Sequence, residues 1–210
     1  MAQPDLFGNI GLPAGVMHLP GFALDAAGAV LAAVEAVSAA APFRHMQVPG
    51  GGTMSVAMSN CGQAGWVTDT SGYRYSSIDP LTAQPWPAMP EAIFRLAQDA
   101  AATAGFAAFR PDACLINRYE PGARMGLHQD RDERDRSQPI VSASFGLPAT
   151  FLFGGAKRSD PQVKLTLEHG DVVVWGGPAR LNYHGIAPLK DGVHPVLGRQ
   201  RLNLTLRRAL

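Results

Sequence analysis

The chain has 210 residues, 46% of them apolar, and a formal net charge of +1. That length suits one domain with a sizeable core, and the charge balance excludes bulk electrostatics as the route to a nucleic acid. Two cysteines are too few for a disulfide scaffold and fit a reduced thiol pair, no apolar run approaches the ~18 residues of a membrane span, and MAQPDLFGNIGLPAG has no basic stretch ahead of an apolar core, so no signal peptide and a cytoplasmic protein are expected.

The first helix is expected over 25–40, with Asp25 as N-cap and Val30, Leu31, Val34 and Val37 at helical spacing. From Pro49 to Pro90 the chain is rich in Gly and Ser and carries clustered aromatics, a texture of short strands and long loops. A second helix is expected in PEAIFRLAQDAAATAG. Pro90 suits its first turn, Ile93, Phe94, Ala97 and Ala101 share a face, and Gly105 stops it. Beyond Gly105 come DACLINRY, PIVSASFGL, TFLFGG, VKLTLEHG, DVVVWGG, RLNYHGI and RLNLTLRR, separated by Gly, Pro and Asp. Many short strands with such punctuation predict an all-β sandwich or barrel, of which a jelly roll is one form. The expected plan is an N-terminal extension with two helices over 1–110 and a β core over 111–210, together one compact unit.

The segment LHQDRDE holds His128 and Asp130 two residues apart. On an extended chain they share a side and can reach one ion; otherwise they belong to an ordinary charged turn. A second HxD, His169-Gly170-Asp171, reads as a turn entering a strand, with Asp171 closing it. His18, His45 and His194 read as surface or loop residues. That leaves His184, in RLNYHGI, as the third ligand of a two-His, one-carboxylate iron site. In RLNLTLR, Arg201, Asn203, Thr205 and Arg207 share one face, and Leu202, Leu204 and Leu206 the other. The polar face either meets water or lines a pocket where the arginines hold an anion. Arg207 suits a planar carboxylate, and Asn117 and Tyr119, on one face of LINRY, would add neutral donors.

Taken together, LINRY, LHQDRDE, RLNYHGI and RLNLTLR resemble the core motifs of the AlkB family, Fe(II)/2-oxoglutarate-dependent dioxygenases that repair alkylated nucleic acid bases. FGGAKR, LEHGDVVVWGG and DPLTAQPWPAMP are similar to that family too, so the resemblance spans nearly the whole chain. It implies a mainly β fold with flanking helices: a double-stranded β-helix (jelly-roll) core plus an N-terminal nucleotide-recognition lid. It implies Fe(II) at His128, Asp130 and His184, and 2-oxoglutarate held by Asn117, Tyr119, Arg201, Asn203 and Arg207, with Arg207 on the distal carboxylate and O2 as the remaining co-substrate. The reaction it implies is oxidative demethylation of bases such as 1-methyladenine and 3-methylcytosine, releasing formaldehyde, succinate and CO2.

The same resemblance implies that Trp66 covers one face of an extruded base, with His128 on the other. Tyr73 and Tyr75 would contact the base or its flanking phosphates, Met58 would line the lid, Asp132 would meet the base edge, and Arg158 would act as a substrate-side cation. Ser142 and Trp175 would pack the pocket wall. Gly52 stands where close bacterial relatives carry a bulkier, often aromatic residue. Single-stranded DNA is the expected partner, with double-stranded DNA and RNA as further candidates, and a monomer the simple default. Two other readings compete: a 2-oxoglutarate-dependent hydroxylase of a small molecule or protein, and a non-catalytic β-sandwich binding module. The aromatic trio Trp66, Tyr73 and Tyr75 favours a base.

Overall fold

A computed structural model describes residues 11–210; the part of the amino-terminal stretch before residue 11, read above as no signal peptide, lies outside the described residues. Among these residues, α1 spans Ala27–Ala40 and α2 spans Glu91–Thr103. The first helix does not start on an Asp25 cap. Ala26 holds the cap position without a side-chain bond, and the entry is a run of backbone turns in which Leu24 N–H donates to the Gly21 carbonyl and Ala27 N–H to the Leu24 carbonyl. Backbone turns have already taken the place a capping carboxylate would fill. In α2, Pro90 is the cap residue, and Ile93, Leu96, Ala97, Ala100 and Ala101 are buried. Phe94 lies only partly inside, with the Arg110 guanidinium over its ring. Gly105 ends this helix in the left-handed conformation, φ +89°. Its N–H bonds the Ala102 carbonyl and the Phe106 N–H bonds the Ala101 carbonyl, a Schellman closure that satisfies the last carbonyls.

Thirteen strands follow in order: β1 (Val16–Leu19), β2 (Arg44–Gln47), β3 (Thr53–Gly62), β4 (Gly65–Asp69), β5 (Gly72–Ser76), β6 (Ala113–Tyr119), β7 (Met125–His128), β8 (Ile140–Gly146), β9 (Ala149–Phe153), β10 (Val163–Leu167), β11 (Val172–Trp175), β12 (His184–Ile186) and β13 (Arg201–Arg207). They build a seven-stranded sheet in the order β1-β11-β8-β13-β6-β3-β2, a four-stranded sheet in the order β10-β9-β12-β7, and the separate hairpin β4–β5. All pairings are antiparallel. β1, β2 and β3 come from the N-terminal half yet belong to the larger sheet, where Cys61 lies directly opposite Cys114, both as free, buried thiols.

Two apolar layers flank the larger sheet. On one side α1 and α2 pack over Leu202, Leu204, Leu206, Ile116, Val141 and Val174. On the other, Phe151 and Phe153 of the smaller sheet meet Trp175 of the larger one. This is the jelly-roll arrangement of two facing sheets, with helices covering the outer face of one. The strict alternation of β13 therefore has no wet side: all seven of its residues are buried. Its leucines enter the helix layer, and its polar residues point between the sheets, where the site lies. No helix among the described residues is long and apolar enough to cross a membrane.

Candidate active site

β7 ends at His128 and β12 begins at His184, and the antiparallel register sets these two residues opposite each other. Their ring centroids are 4.4 Å apart. The chain then leaves β7 and returns the Asp130 carboxylate to the same spot. Its Oδ1 lies 3.6 Å from His128 Nε2 and its Oδ2 lies 3.8 Å from His184 Nε2. One donor atom from each residue fits within 4.8 Å of the others. His128 Nδ1 faces the Gly126 carbonyl at 2.9 Å, and His184 Nδ1 faces the Asn182 carbonyl at 3.0 Å. Those carbonyls fix the proton on Nδ1 and leave each Nε2 lone pair directed inward.

Burial, reinforced by neighbouring His128, lowers the His184 pKa to about 4, so its imidazole is neutral at physiological pH. For Asp130 burial alone would raise the carboxyl, but Arg207, His184 and His128 outweigh it and hold the group below the ordinary carboxylate range. Two imidazoles and one carboxylate whose donor atoms cluster at one spot form the donor set of a facial divalent-iron site.

A narrow cavity runs from this triad between the sheets. Asn117, Tyr119, Arg201, Asn203, Thr205 and Arg207 line it. They converge because Tyr119 pairs with Arg201 and Asn117 with Asn203 in the β6–β13 ladder. Arg201 is 1% exposed. It donates from Nη2 to Ser144 Oγ at 2.8 Å and lies over the Tyr119 ring, while its Nε and Nη1 have no partner. A guanidinium buried with two empty donors is costly unless an anion completes it.

Arg207 is placed differently from the sequence expectation. Its Nε and Nη2 both bond Asp130 Oδ2, at 3.0 and 2.7 Å, so it stands at the triad and not at the far end. Six residues of strand, about 20 Å, separate it from Arg201. Arg207 thus spends its fork on Asp130, whereas Arg201 keeps Nε and Nη1 without a partner.

A second, wider cavity of about 320 Å³ opens on the other side of the triad. Met58, Trp66, Tyr73, Asp132 and Arg158 line it, with His128 and Arg207 shared between both cavities. The Trp66 indole N–H donates to Asp132 Oδ2 at 2.9 Å, and its ring stacks on Tyr73 with centroids 5.6 Å apart. Arg158 donates to the Leu127 carbonyl at 2.6 Å and lies over the Tyr183 ring. Met58 is fully buried and also packs the inter-sheet core. Tyr75 does not reach this cavity: its hydroxyl donates to Glu133 Oε1 at 2.7 Å. Ser142 and Trp175 line the narrow cavity, where Ser142 Oγ accepts from Asn203. The second HxD lies elsewhere, with Asp171 accepting from the Gly21 and Glu168 amides and His169 Nδ1 accepting from the Gly146 amide.

The sequence reading missed Glu133, Arg180 and Tyr183. Glu133 and Arg180 form a buried ion pair at 2.9 Å. Inside DRDERDR no local signal separates Glu133 from its solvated neighbours; only the fold brings Arg180 to it.

The sequence model of the 2OG-Fe(II) oxygenase superfamily matches residues 15–207. The chain is 58% identical over 198 residues to the alpha-ketoglutarate-dependent dioxygenase AlkB of Escherichia coli, covering 94% of this chain and 92% of that one. The chain belongs to the AlkB family of 2OG-Fe(II) oxygenases. Within that family it is also 45% identical to an AlkB homolog of Caulobacter vibrioides, over 89% of this chain and 83% of the relative. The solved structure of OsALKBH1 superposes with a TM-score of 0.80 at 28% identity, covering 94% of this chain and 98% of that one. The cofactors of the family are Fe(II) and 2-oxoglutarate. The residues present fit both: three convergent nitrogen and oxygen donors for the metal, and a buried guanidinium with two unpartnered donors for a dicarboxylate.

Proposed function

We propose that this dioxygenase removes methyl groups from the ring nitrogens of nucleic acid bases, with His128, Asp130 and His184 as metal ligands. The observation that carries this reading is the placement of the triad between two unlike cavities. One ends in a buried guanidinium lacking an anion; the other has aromatic walls and a carboxylate.

In this reading Arg201 takes the distal carboxylate of 2-oxoglutarate through its empty donors. Tyr119, Asn117 and Asn203 line the shaft between, and Arg207 steadies Asp130 at the metal end. Once bound, iron and 2-oxoglutarate supply the O2-dependent hydroxylation of an N-methyl carbon, with 2-oxoglutarate leaving as succinate and CO2. The resulting N-hydroxymethyl group releases formaldehyde and restores the base. The chain's own share is placement. Trp66 and His128 flank a flat base, Asp132 faces its edge, and Arg158 offers a charge to a phosphate on the rim. Tyr73 backs the indole. A base methylated at 1-methyladenine or 3-methylcytosine positions is cationic, and the Asp132 carboxylate favours it over a neutral one. Single-stranded DNA is the preferred partner because extrusion costs least there, and RNA is accepted on the same ground. The protein acts as a monomer.

Mass spectrometry of a single-stranded oligonucleotide carrying one 1-methyladenine tests this. Loss of one methylene's mass, only with Fe(II) and 2-oxoglutarate both present, is expected. Succinate formed without that loss would turn the search to other substrates.

A further inference from the structure

Four buried charged side chains meet beneath the β4–β5 hairpin. Asp130 and Glu133 are the carboxylates, Arg180 and Arg207 the guanidiniums, and each residue is more than nine-tenths buried. Arg180 donates from Nη1 to the Asp130 carbonyl at 2.6 Å, from Nε to the Gln138 carbonyl at 2.9 Å, and from Nη2 to Glu133 Oε2 at 2.9 Å. Arg207 Nε lies 3.0 Å from Asp130 Oδ2 and 3.4 Å from Glu133 Oε1. That same Oε1 accepts the Tyr75 hydroxyl. Glu133 lines neither cavity, and no step of the chemistry above uses it.

We propose that Glu133 is a positioning residue: it divides Arg207 with Asp130 and ties Tyr75 to that division, so that loading of the metal and co-substrate site is transmitted to the nucleotide-facing hairpin. This rests on the assignment of metal to the triad and of 2-oxoglutarate to the narrow cavity.

Two carboxylates and two guanidiniums balance in charge, and this is what lets four ions stay buried. Removing the Glu133 charge leaves an excess positive charge beside the carboxylate that must receive a divalent cation, and Arg207 then turns wholly to Asp130. The mechanical link is short. Trp66 and Tyr75 are cross-strand partners in the hairpin, and each bonds a carboxylate of the segment that carries Asp130. Trp66 bonds Asp132 and Tyr75 bonds Glu133. Asp130 Oδ2 now accepts two Arg207 donors, so a metal taking Asp130 shifts Arg207 towards Glu133 and changes the acceptor that Tyr75 uses. Coupling of this kind is reciprocal: whatever loading does to the hairpin, ordering of the hairpin does to loading.

Hydrogen exchange of amides 65–76, measured on the full chain without nucleic acid, tests this with and without Mn(II) plus 2-oxoglutarate. In the parent, loading slows hairpin exchange roughly fivefold or more. Tyr75→Phe loses that slowing, and by reciprocity its Mn(II) affinity changes by no more than that same factor. Glu133→Gln loses it as well and binds Mn(II) about tenfold more weakly, as loss of an outer carboxylate does at metal sites. No slowing in the parent overturns the proposal. So does an unchanged ratio in Tyr75→Phe, which removes one hydroxyl and stays informative even where Glu133→Gln fails to fold. A purely structural Glu133 would loosen the hairpin equally in loaded and empty protein. Failure to demethylate the oligonucleotide, with the exchange ratios as expected, would remove the proposed substrate and leave the coupling standing.

Discussion

Arg201 and Arg207 share one face of β13 and have different tasks. Arg201 lines the narrow cavity with two unpartnered donors, so Arg201→Lys is expected to raise the 2-oxoglutarate dissociation constant tenfold or more, about 1.4 kcal/mol, because a point charge cannot replace a fork. Calorimetric titration at fixed Mn(II) reads this, and an unchanged constant would remove Arg201 from the anion site. Trp66→Ala should weaken binding of a 1-methyladenine oligonucleotide by about 1–3 kcal/mol, the worth of one stacked base, without changing 2-oxoglutarate affinity. Fluorescence anisotropy and calorimetry separate the two effects. At this scale the clustering of His128, Asp130 and His184 was legible because the HxD spacing and the setting aside of the other histidines both point to it. The division of labour between the arginines was not. Alternation tells which face a residue shares, not which end of the cavity it reaches. Glu133 was hidden for a related reason, since a carboxylate in a charge run is revealed as buried only when Arg180 arrives from far along the chain.

The elements hold these residues through a few specific closures. The turn at 168–171 is one of them. His169 stacks on His194 of the β12–β13 loop with centroids 4.5 Å apart, and both rings use Nδ1 to accept backbone N–H groups. Burial, and then His194, lowers the His169 pKa from 6.5. A histidine with a depressed folded pKa binds protons more readily when unfolded, so its stabilisation is present above pH 6.5 and is lost as pH falls below it. Urea midpoints at pH 7.5 and 5.5 should fall in the parent and fall less in His169→Gln. Equal falls would show that the stack carries no pH dependence. The helix end at Gly105 offers a cleaner case: Gly105→Ala forces a side chain into φ +89° and should cost about 1 kcal/mol in chemical denaturation. Both helices were readable from apolar spacing and the glycine stop. β3 was less so. Six consecutive residues of this strand, from Val56 to Cys61, are buried, so no alternation marks it as a member of the larger sheet.

For the molecule as a whole, Asp130 and Arg201 are buried charges that a bound metal and dicarboxylate would complete. Ligands that bind only the folded state stabilise it by mass action. At a hundred times the dissociation constant this amounts to about 2.7 kcal/mol. For a chain of this size that raises the melting temperature by roughly 5–10 °C. Thermal scans with Mn(II) and 2-oxoglutarate, together and separately, should show the larger shift for the pair; no shift with either would count against both sites. The general architecture followed from the run of short strands, but its closure into two facing sheets depends on pairings between distant segments, which composition and spacing do not reveal.

β13 is the partition between two incompatible interiors, leucines towards the helices and arginines towards the cavity. A displacement of a single residue would exchange the two sets, putting guanidiniums among aliphatic side chains and methyl groups where the anion belongs. An inserted or deleted residue within the strand therefore has no partial outcome. The same change at the exposed start of the loop before it, around Lys190–Asp191 and ahead of the His194 closure, can be absorbed without touching the ladder. Length variation in descendants of this chain is thus kept out of the last strand, which behaves as a fixed reading frame in three dimensions.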